Sequence, residues 1–264
     1  YIIYIYIYIY IIYITSISHI FSVQGNNTPS FLCAGAIINS KYVLTSATCL
    51  DLESLREKRL SVIHLGDYDL DSERDCQQTR LGPRCSKPHI VVGVEETVSH
   101  PDYNIRGKAS DDIALIRLNV TLNFEDSSAT IEPVCLPPKD FNFKAFAGNR
   151  APVAAGWGLT EHGVRSNILL QVNIPIADDA LCRKKYKEKF FSRNQLCIGG
   201  SEGGFDTCSG DSGAPLFMAG PDGPPFIEVG IASFGPYPCG IKGFPAVYTN
   251  VADYRDWIIE NMKP

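Results

Sequence analysis

Gly210-Asp211-Ser212-Gly213 sets a serine between two glycines. A hydroxyl that must project from a tight turn, with backbone amides approaching a developing oxyanion, needs this arrangement, because glycine frees the backbone and leaves no side chain in the way. The chemistry it suits is acyl transfer with the serine oxygen as nucleophile. That chemistry also needs a base to take the hydroxyl's proton and return it to the leaving group. The chain's histidines are His19, His64, His89, His100 and His162, and each is read as a structural or exposed residue rather than as that base.

The elements that must position such a serine are legible as short apolar or alternating runs broken by Gly, Pro, Asn and Asp. Strands are expected at 31–38, 42–47, 60–66, 90–98, 113–118, 152–157, 168–176, 214–218, 226–234 and 245–249. Closely spaced strands with few helical patterns between them predict an all-β chain of antiparallel barrels or sandwiches. Val251, Tyr254, Trp257 and Ile258 lie at helical spacing behind Asn250, a candidate cap, so a packing helix is expected over about 251–262. Two halves, about 19–132 and 133–250, meet in the Pro-rich stretch Pro133 to Pro138.

The chain has 264 residues and is 45% hydrophobic, enough for one large core or two modest ones. Nine cysteines at this length fit an oxidising, extracellular compartment. No CxxC pair or paired His/Cys spacing supports zinc, and no metal or other cofactor is expected. A net charge of -5 gives no electrostatic reason to expect nucleic acid or an anionic membrane as partner. The basic run Arg183, Lys184, Lys185, Lys187, Lys189 is interrupted by Glu188, and with Tyr186, Phe190 and Phe191 it reads as a solvated face beside packing residues. Asn26-Asn27-Thr28 and Asn119-Val120-Thr121 match the glycosylation acceptor pattern, in agreement with secretion.

Residues 1–14 are only Tyr and Ile. They have no basic start or small-residue cleavage site, and they are shorter than the ~20 apolar residues that span a bilayer. A repeated TA dinucleotide translates as this alternation, so residues 1–18 are expected to lie outside the fold. A membrane-inserting role for them is the disfavoured alternative.

The longer string Cys208-Ser209-Gly210-Asp211-Ser212-Gly213-Ala214-Pro215-Leu216 resembles the nucleophile loop of the trypsin/chymotrypsin family of serine endopeptidases. The resemblance runs over residues 19–264. Phe31-Leu32-Cys33-Ala34-Gly35 and Tyr42-Val43-Leu44-Thr45 are similar to the approach to the catalytic histidine, and Asp111-Asp112-Ile113-Ala114-Leu115 to the segment bearing the triad aspartate. Pro133-Val134-Cys135-Leu136-Pro137, Ala155-Gly156-Trp157-Gly158 and Ala246-Val247-Tyr248-Thr249-Asn250 follow in family order. The resemblance implies two six-stranded antiparallel β-barrels with a C-terminal helix.

It also implies roles and pairings. Eight cysteines alone allow 105 connectivities. By resemblance Cys33 pairs with Cys49, Cys182 with Cys197 and Cys208 with Cys239, while Cys76 and Cys85 close a loop seen in clip-domain members of arthropod cascades. Cys135 is left over, and in the family the cysteine there ties the catalytic domain to an upstream light chain. Ser212 would be the nucleophile, Asp112 the triad aspartate, and the Gly210 and Ser212 amides the oxyanion hole. Asp206 would be the floor of a pocket selecting Arg or Lys, walled by Ser233, Phe234 and Gly235, with Ala246 narrowing it where glycine is usual. Ala34 and Ala214 also replace usual glycines. Asp67 falls where some relatives have a calcium loop.

Two departures bear on activity. The family's histidine follows Ala and precedes Cys, and Ala47-Thr48-Cys49 puts Thr48 there. Threonine neither accepts the serine proton near neutral pH nor holds it as a cation, and loss of the base costs on the order of 10⁶ in turnover. No Ile/Val-Val/Ile-Gly-Gly segment precedes Phe31 to supply the ammonium group that pairs with Asp211, so a zymogen-like loop is expected. The resemblance thus implies a catalytically impaired homologue that meets protein substrates or cascade proteases outside the cell. The alternative is an active endopeptidase cleaving after Arg or Lys whose recorded sequence is defective.

Overall fold

The computed structural model describes residues 17–23, 29–51, 59–79, 82–127, 131–190, 193–220 and 223–264. The Tyr/Ile run, the acceptor Asn26-Asn27-Thr28 and Phe191 lie outside the described residues. The first half contains β1 (Ile17–Val23), β2 (Pro29–Ile37), β3 (Tyr42–Thr45), β4 (Arg59–Leu65), β5 (Cys76–Thr79), β6 (Gly82–Cys85), β7 (Ile90–Ser99) and β8 (Ala114–Leu118). Six of these close an antiparallel barrel in the order β1-β2-β3-β8-β7-β4, and β5 and β6 form a separate hairpin.

The second half contains β9 (Val153–Gly156), β10 (Leu170–Asn173), β11 (Gln195–Ile198), β12 (Pro215–Gly220), β13 (Gly223–Phe234) and β14 (Ala246–Asn250). They form a six-stranded sheet in the order β10-β9-β12-β13-β14-β11. An isolated antiparallel bridge between Ile176 and Ile198 brings its two edges together, so this half is also barrel-like. Every pairing within the two six-stranded sheets is antiparallel, which matches the expected all-β, two-barrel fold.

The two-residue period of a strand explains how the halves join. On β3, Val43 points into the first barrel with Ile37, Ile63, Leu65, Ile116 and Leu118. Tyr42 and Leu44, on the opposite face, pack with Leu115, Ile231, Val251, Tyr254 and Ile258. β3 and β8 are therefore apolar on both faces, and β3 is buried at every position. Each such fully buried side chain contributes about 1.5–3 kcal/mol. The chain ends in a 3₁₀ turn, Val251–Tyr254, and a helix, Arg255–Asn261, whose Ile258 is fully buried in this interface cluster. Asn250 does not cap that helix as the sequence predicts, because the tighter turn intervenes and its side-chain amide donates to Asp253 Oδ2 at 2.8 Å.

Four strands fall outside the sequence-based expectations or shift them. β1 begins at Ile17, two residues before the expected edge of the fold, and pairs with both β2 and β4. Its Ile17 is buried in the cluster that holds Ala34, Ala36 and, from the second half, Trp157. The β5–β6 hairpin and β11 lack the apolar alternation that marks a strand. Four disulfides are present, Cys33–Cys49, Cys76–Cys85, Cys182–Cys197 and Cys208–Cys239, and Cys135 is free and exposed. Among the described residues no helix is long and apolar enough to cross a membrane.

Candidate active site

Asp112 lies between the halves and is fully buried. The preceding Asp111 has a positive φ of 53° and is clamped by Arg106 Nη2 at 2.6 Å and the Tyr254 hydroxyl at 2.8 Å, which turns the next side chain inward. The Asp112 carboxylate then accepts from the Thr48 amide at 2.8 Å, Thr48 Oγ1 at 2.9 Å and Ser233 Oγ at 2.5 Å. Its backbone carbonyl accepts from Thr249 Oγ1 at 2.7 Å. Burial pushes the Asp112 carboxyl up, and the hydrogen bonds from Ser233 and Thr48 oppose that rise.

Thr48 is carried by the 3₁₀ turn Ala47–Cys49 that follows β3 and is pinned by the Cys33–Cys49 disulfide. Its hydroxyl also lies 3.1 Å from the Tyr103 hydroxyl. Sequence reasoning missed Tyr103, which reaches this point from the 101–111 turn. Tyr103 is no substitute base, because burial raises its hydroxyl's pKa and keeps it protonated.

Ser212 sits in the turn entering β12. Gly213 has φ 77°, and a Cβ there would lie 2.2 Å from Thr45 Oγ1 and 2.4 Å from the Ala34 carbonyl, so only glycine fits. The turn is held to the first barrel by the Ala34 amide, which donates to the Ser212 carbonyl at 2.9 Å. Asp211 anchors its other side, accepting from the Gly158 amide at 2.8 Å and the Cys208 amide at 2.9 Å. Burial raises the Asp211 carboxyl, and among the described residues no cation lies at ion-pair distance from it. Gly210, at φ 106°, completes the turn.

A cleft of about 160 Å³ opens beside Ser212, lined among others by Ser233, Phe234, Gly235 and Ala246. Asp206, expected at its floor, does not line it. Asp206 lines a second hollow of about 550 Å³ with Gly158, Asp211 and Gly240. Its carboxylate accepts from the Thr207 amide at 2.9 Å and the Gly240 amide at 2.8 Å, and burial pushes its pKa up to about 6. The Ala246 methyl lines the first cleft, 3.4 Å from where a Cβ on Gly235 would be.

The histidines are elsewhere. His100 packs against Tyr254 and Trp257, and burial lowers its pKa. His162 is exposed beside Glu161. His64 and His89 stack on each other next to Asp67. The His19 side chain lies outside the described atoms. None of the described histidine rings hydrogen-bonds to Ser212 or Asp112, whose carboxylate is held by Thr48 and Ser233. Cys135 lies apart from the site on the outer surface, its amide donating to the Phe226 carbonyl at 3.1 Å.

The family pattern described as Trypsin matches residues 12–258. Melanization protease 1 of Drosophila melanogaster is 36% identical over 244 residues, spanning 90% of this chain and 60% of that protein. Phenoloxidase-activating factor 3 of Holotrichia diomphalia is 36% identical over 243 residues, spanning 89% of this chain and 65% of that protein. A crystal structure of the Drosophila Grass clip serine protease of the Toll pathway superposes with a TM-score of 0.80 at 35% identity, covering 94% of this chain and 69% of that one. The chain thus spans about 60% of the length of the curated relatives it matches.

Proposed function

The chain belongs to the trypsin family and is related to the insect cascade proteases, and from that premise we propose that it is a catalytically impaired member that binds protein partners in an extracellular proteolytic cascade. One observation carries this reading: Thr48 Oγ1, at the position where the family has histidine, donates to Asp112 Oδ2 at 2.9 Å. A hydroxyl engaged in this way leaves Ser212 without a base, so transition-state stabilisation falls back on the amides of Gly210 and Ser212 and on binding. Asp211 supports the same reading: among the described residues no cation lies within ion-pair distance of it, Arg165 acts on it only from further away, and two backbone amides are its hydrogen-bond donors.

Melanization protease and phenoloxidase-activating factor are names of cascade proteases, and this chain is assigned protein partners of that kind, either substrates or other proteases. The four disulfides support an extracellular location. Cys135, free and exposed, is assigned to a disulfide with an upstream light chain. The intact Ser212, Asp112 and Gly210 favour the second reading, an active endopeptidase. Arginyl and lysyl amide substrates, with an active-site phosphonate as label, decide between them on the purified secreted protein. The proposal expects no labelling of Ser212 and turnover at background. Turnover in the ordinary protease range overturns it.

A further inference from the structure

His64, at the penultimate position of β4, and His89, just before β7, are brought side by side because Leu65 pairs with Ile90 in the β4–β7 register. Their rings stack with centroids 5.0 Å apart and planes 17° from parallel. Between them sits Asp67, whose side chain is only 3% exposed. Its Oδ2 lies 3.6 Å from His64 Nδ1 and 3.7 Å from His89 Nδ1, just beyond hydrogen-bonding reach. Its Oδ1 has no hydrogen-bond partner. A carboxylate this deeply buried is costly unless paired or bound to a metal, so the missing partner is itself an observation to be explained.

We infer that His64, Asp67 and His89 form a binding site for a divalent transition ion of the zinc type. The ligand atoms of the three residues lie within 4.8 Å of one another. Bonds of about 2.0–2.1 Å at tetrahedral angles put neighbouring ligand atoms roughly 3.3 Å apart. The carboxylate-to-imidazole spacings exceed that by a few tenths of an ångström, which side-chain rotation supplies. The donor set also decides the ion: calcium takes six to eight oxygens, whereas two imidazole nitrogens with one carboxylate suit zinc, copper or nickel. The histidine side chains are 23% and 20% exposed, so an ion can enter and a water can complete its shell. The sequence hid the site because the two histidines are far apart along the chain.

The site would lock a loop at its base. The chain leaves β4 after Leu65, passes Asp67, carries the Cys76–Cys85 hairpin and returns at His89. The Tyr68 carbonyl accepts from Trp157 Nε1 at 3.2 Å and from the Leu169 amide at 2.8 Å, so the loop that the ion would fix docks on the second half. The ion is structural, joining the end of the first barrel to that docking contact.

The test uses the full chain carrying Cys135→Ser, to remove the exposed thiol, and titrates it with cobalt(II) chloride, then with zinc and calcium. One equivalent of cobalt should bind with the visible absorption of a four- or five-coordinate site, zinc should displace it, and millimolar calcium should not. His89→Gln and Asp67→Asn should each weaken cobalt binding about tenfold or more, and zinc should raise the thermal midpoint of the parent but not of His89→Gln. His89→Gln with an unchanged metal-free midpoint shows that folding is intact. Cobalt binding of equal strength in both variants, no binding in the parent, or displacement by calcium would each overturn the assignment.

Discussion

Thr48 holds both oxygens of Asp112: its amide donates to Oδ1 at 2.8 Å and its hydroxyl to Oδ2 at 2.9 Å. Together with Ser233 Oγ at 2.5 Å, these two donors satisfy the buried carboxylate. Thr48→Ala removes one of these donors and should cost about 1–3 kcal/mol of stability, because Asp112 is fully buried.

Thr48→His should restore a proton acceptor and yet give only partial activity. The ring must displace the Tyr103 hydroxyl, now 3.1 Å from Thr48 Oγ1, and among the described residues Asp211 has no cation within ion-pair distance, only the more distant Arg165. Turnover of an arginyl amide by the single variant should remain roughly 10²-fold or more below that of an active relative. Full rescue by this change alone would show that the Ser212 turn is already ordered for catalysis.

Ala246→Gly should reopen the route from the cleft to Asp206. Removing one methyl that narrows a pocket changes affinity by about ten- to a hundredfold, so benzamidine should bind the variant that much more tightly than the parent. Asp206 has its pKa pushed up to about 6, chiefly by burial. An amidinium needs the charged carboxylate, so binding to the variant should strengthen as pH rises through 6 and weaken below it. Equal affinity in parent and variant, or a flat profile from pH 5 to 8, would remove Asp206 from the specificity of this site.

Glu228, on β13, is completely buried and neither of its carboxylate oxygens has a partner. Burial raises its pKa well above that of an ordinary glutamate. The folded chain therefore keeps a proton that the unfolded chain loses, and stability falls as pH rises from about 4.5 towards the folded pKa, by at most about 1.4 kcal/mol per pH unit for this one group. Glu228→Gln keeps the shape and removes the titration. Chemical denaturation at pH 5, 6 and 7 should show the parent losing stability relative to the variant. Parallel curves would mean that Glu228 has a partner in solution.

The Ser212 turn and most strands were legible because each rests on local pattern, glycines around a projecting hydroxyl and apolar residues at every second position. β3 was legible for a different reason: it is apolar on both faces, since Val43 serves one barrel and Tyr42 and Leu44 the contact with the other. The β5–β6 hairpin was not, because Cys76-Gln77-Gln78-Thr79 and Gly82-Pro83-Arg84-Cys85 carry no apolar alternation. The contact of Tyr103 with Thr48 depends on the backbone of the 101–111 turn, where Asn104, Ala109 and Asp111 all adopt positive φ, and residue types alone do not dictate that path. Asp206 kept its spacing from Ser212, but the direction its carboxylate faces is set by the Thr207 and Gly240 amides, the latter 34 residues away.

Gly213 follows Ser212 in its turn and Gly235 lines the cleft, and substitution at each should act through a different term. At Gly213 a methyl would sit 2.2 Å from Thr45 Oγ1 and 2.4 Å from the Ala34 carbonyl, in a backbone with φ 77°. Neither neighbour can retreat: Thr45 Oγ1 donates to that same Ala34 carbonyl at 2.8 Å, and the Ala34 amide donates to the Ser212 carbonyl at 2.9 Å. Overpacking of about 1–3 kcal/mol adds to left-handed strain of about 1 kcal/mol or more, so Gly213→Ala should lower the thermal midpoint by several degrees and detach the Ser212 turn from the first barrel. At Gly235 the nearest atom to an added Cβ is the Ala246 methyl at 3.4 Å, an ordinary contact, and no left-handed backbone is involved. Gly235→Ala should therefore leave the midpoint within about a degree while filling the cleft further, and Ala246→Gly in the same chain should undo that filling. A large loss of stability at Gly235, or none at Gly213, would contradict this division between a glycine kept for the backbone and one kept for the space beside it.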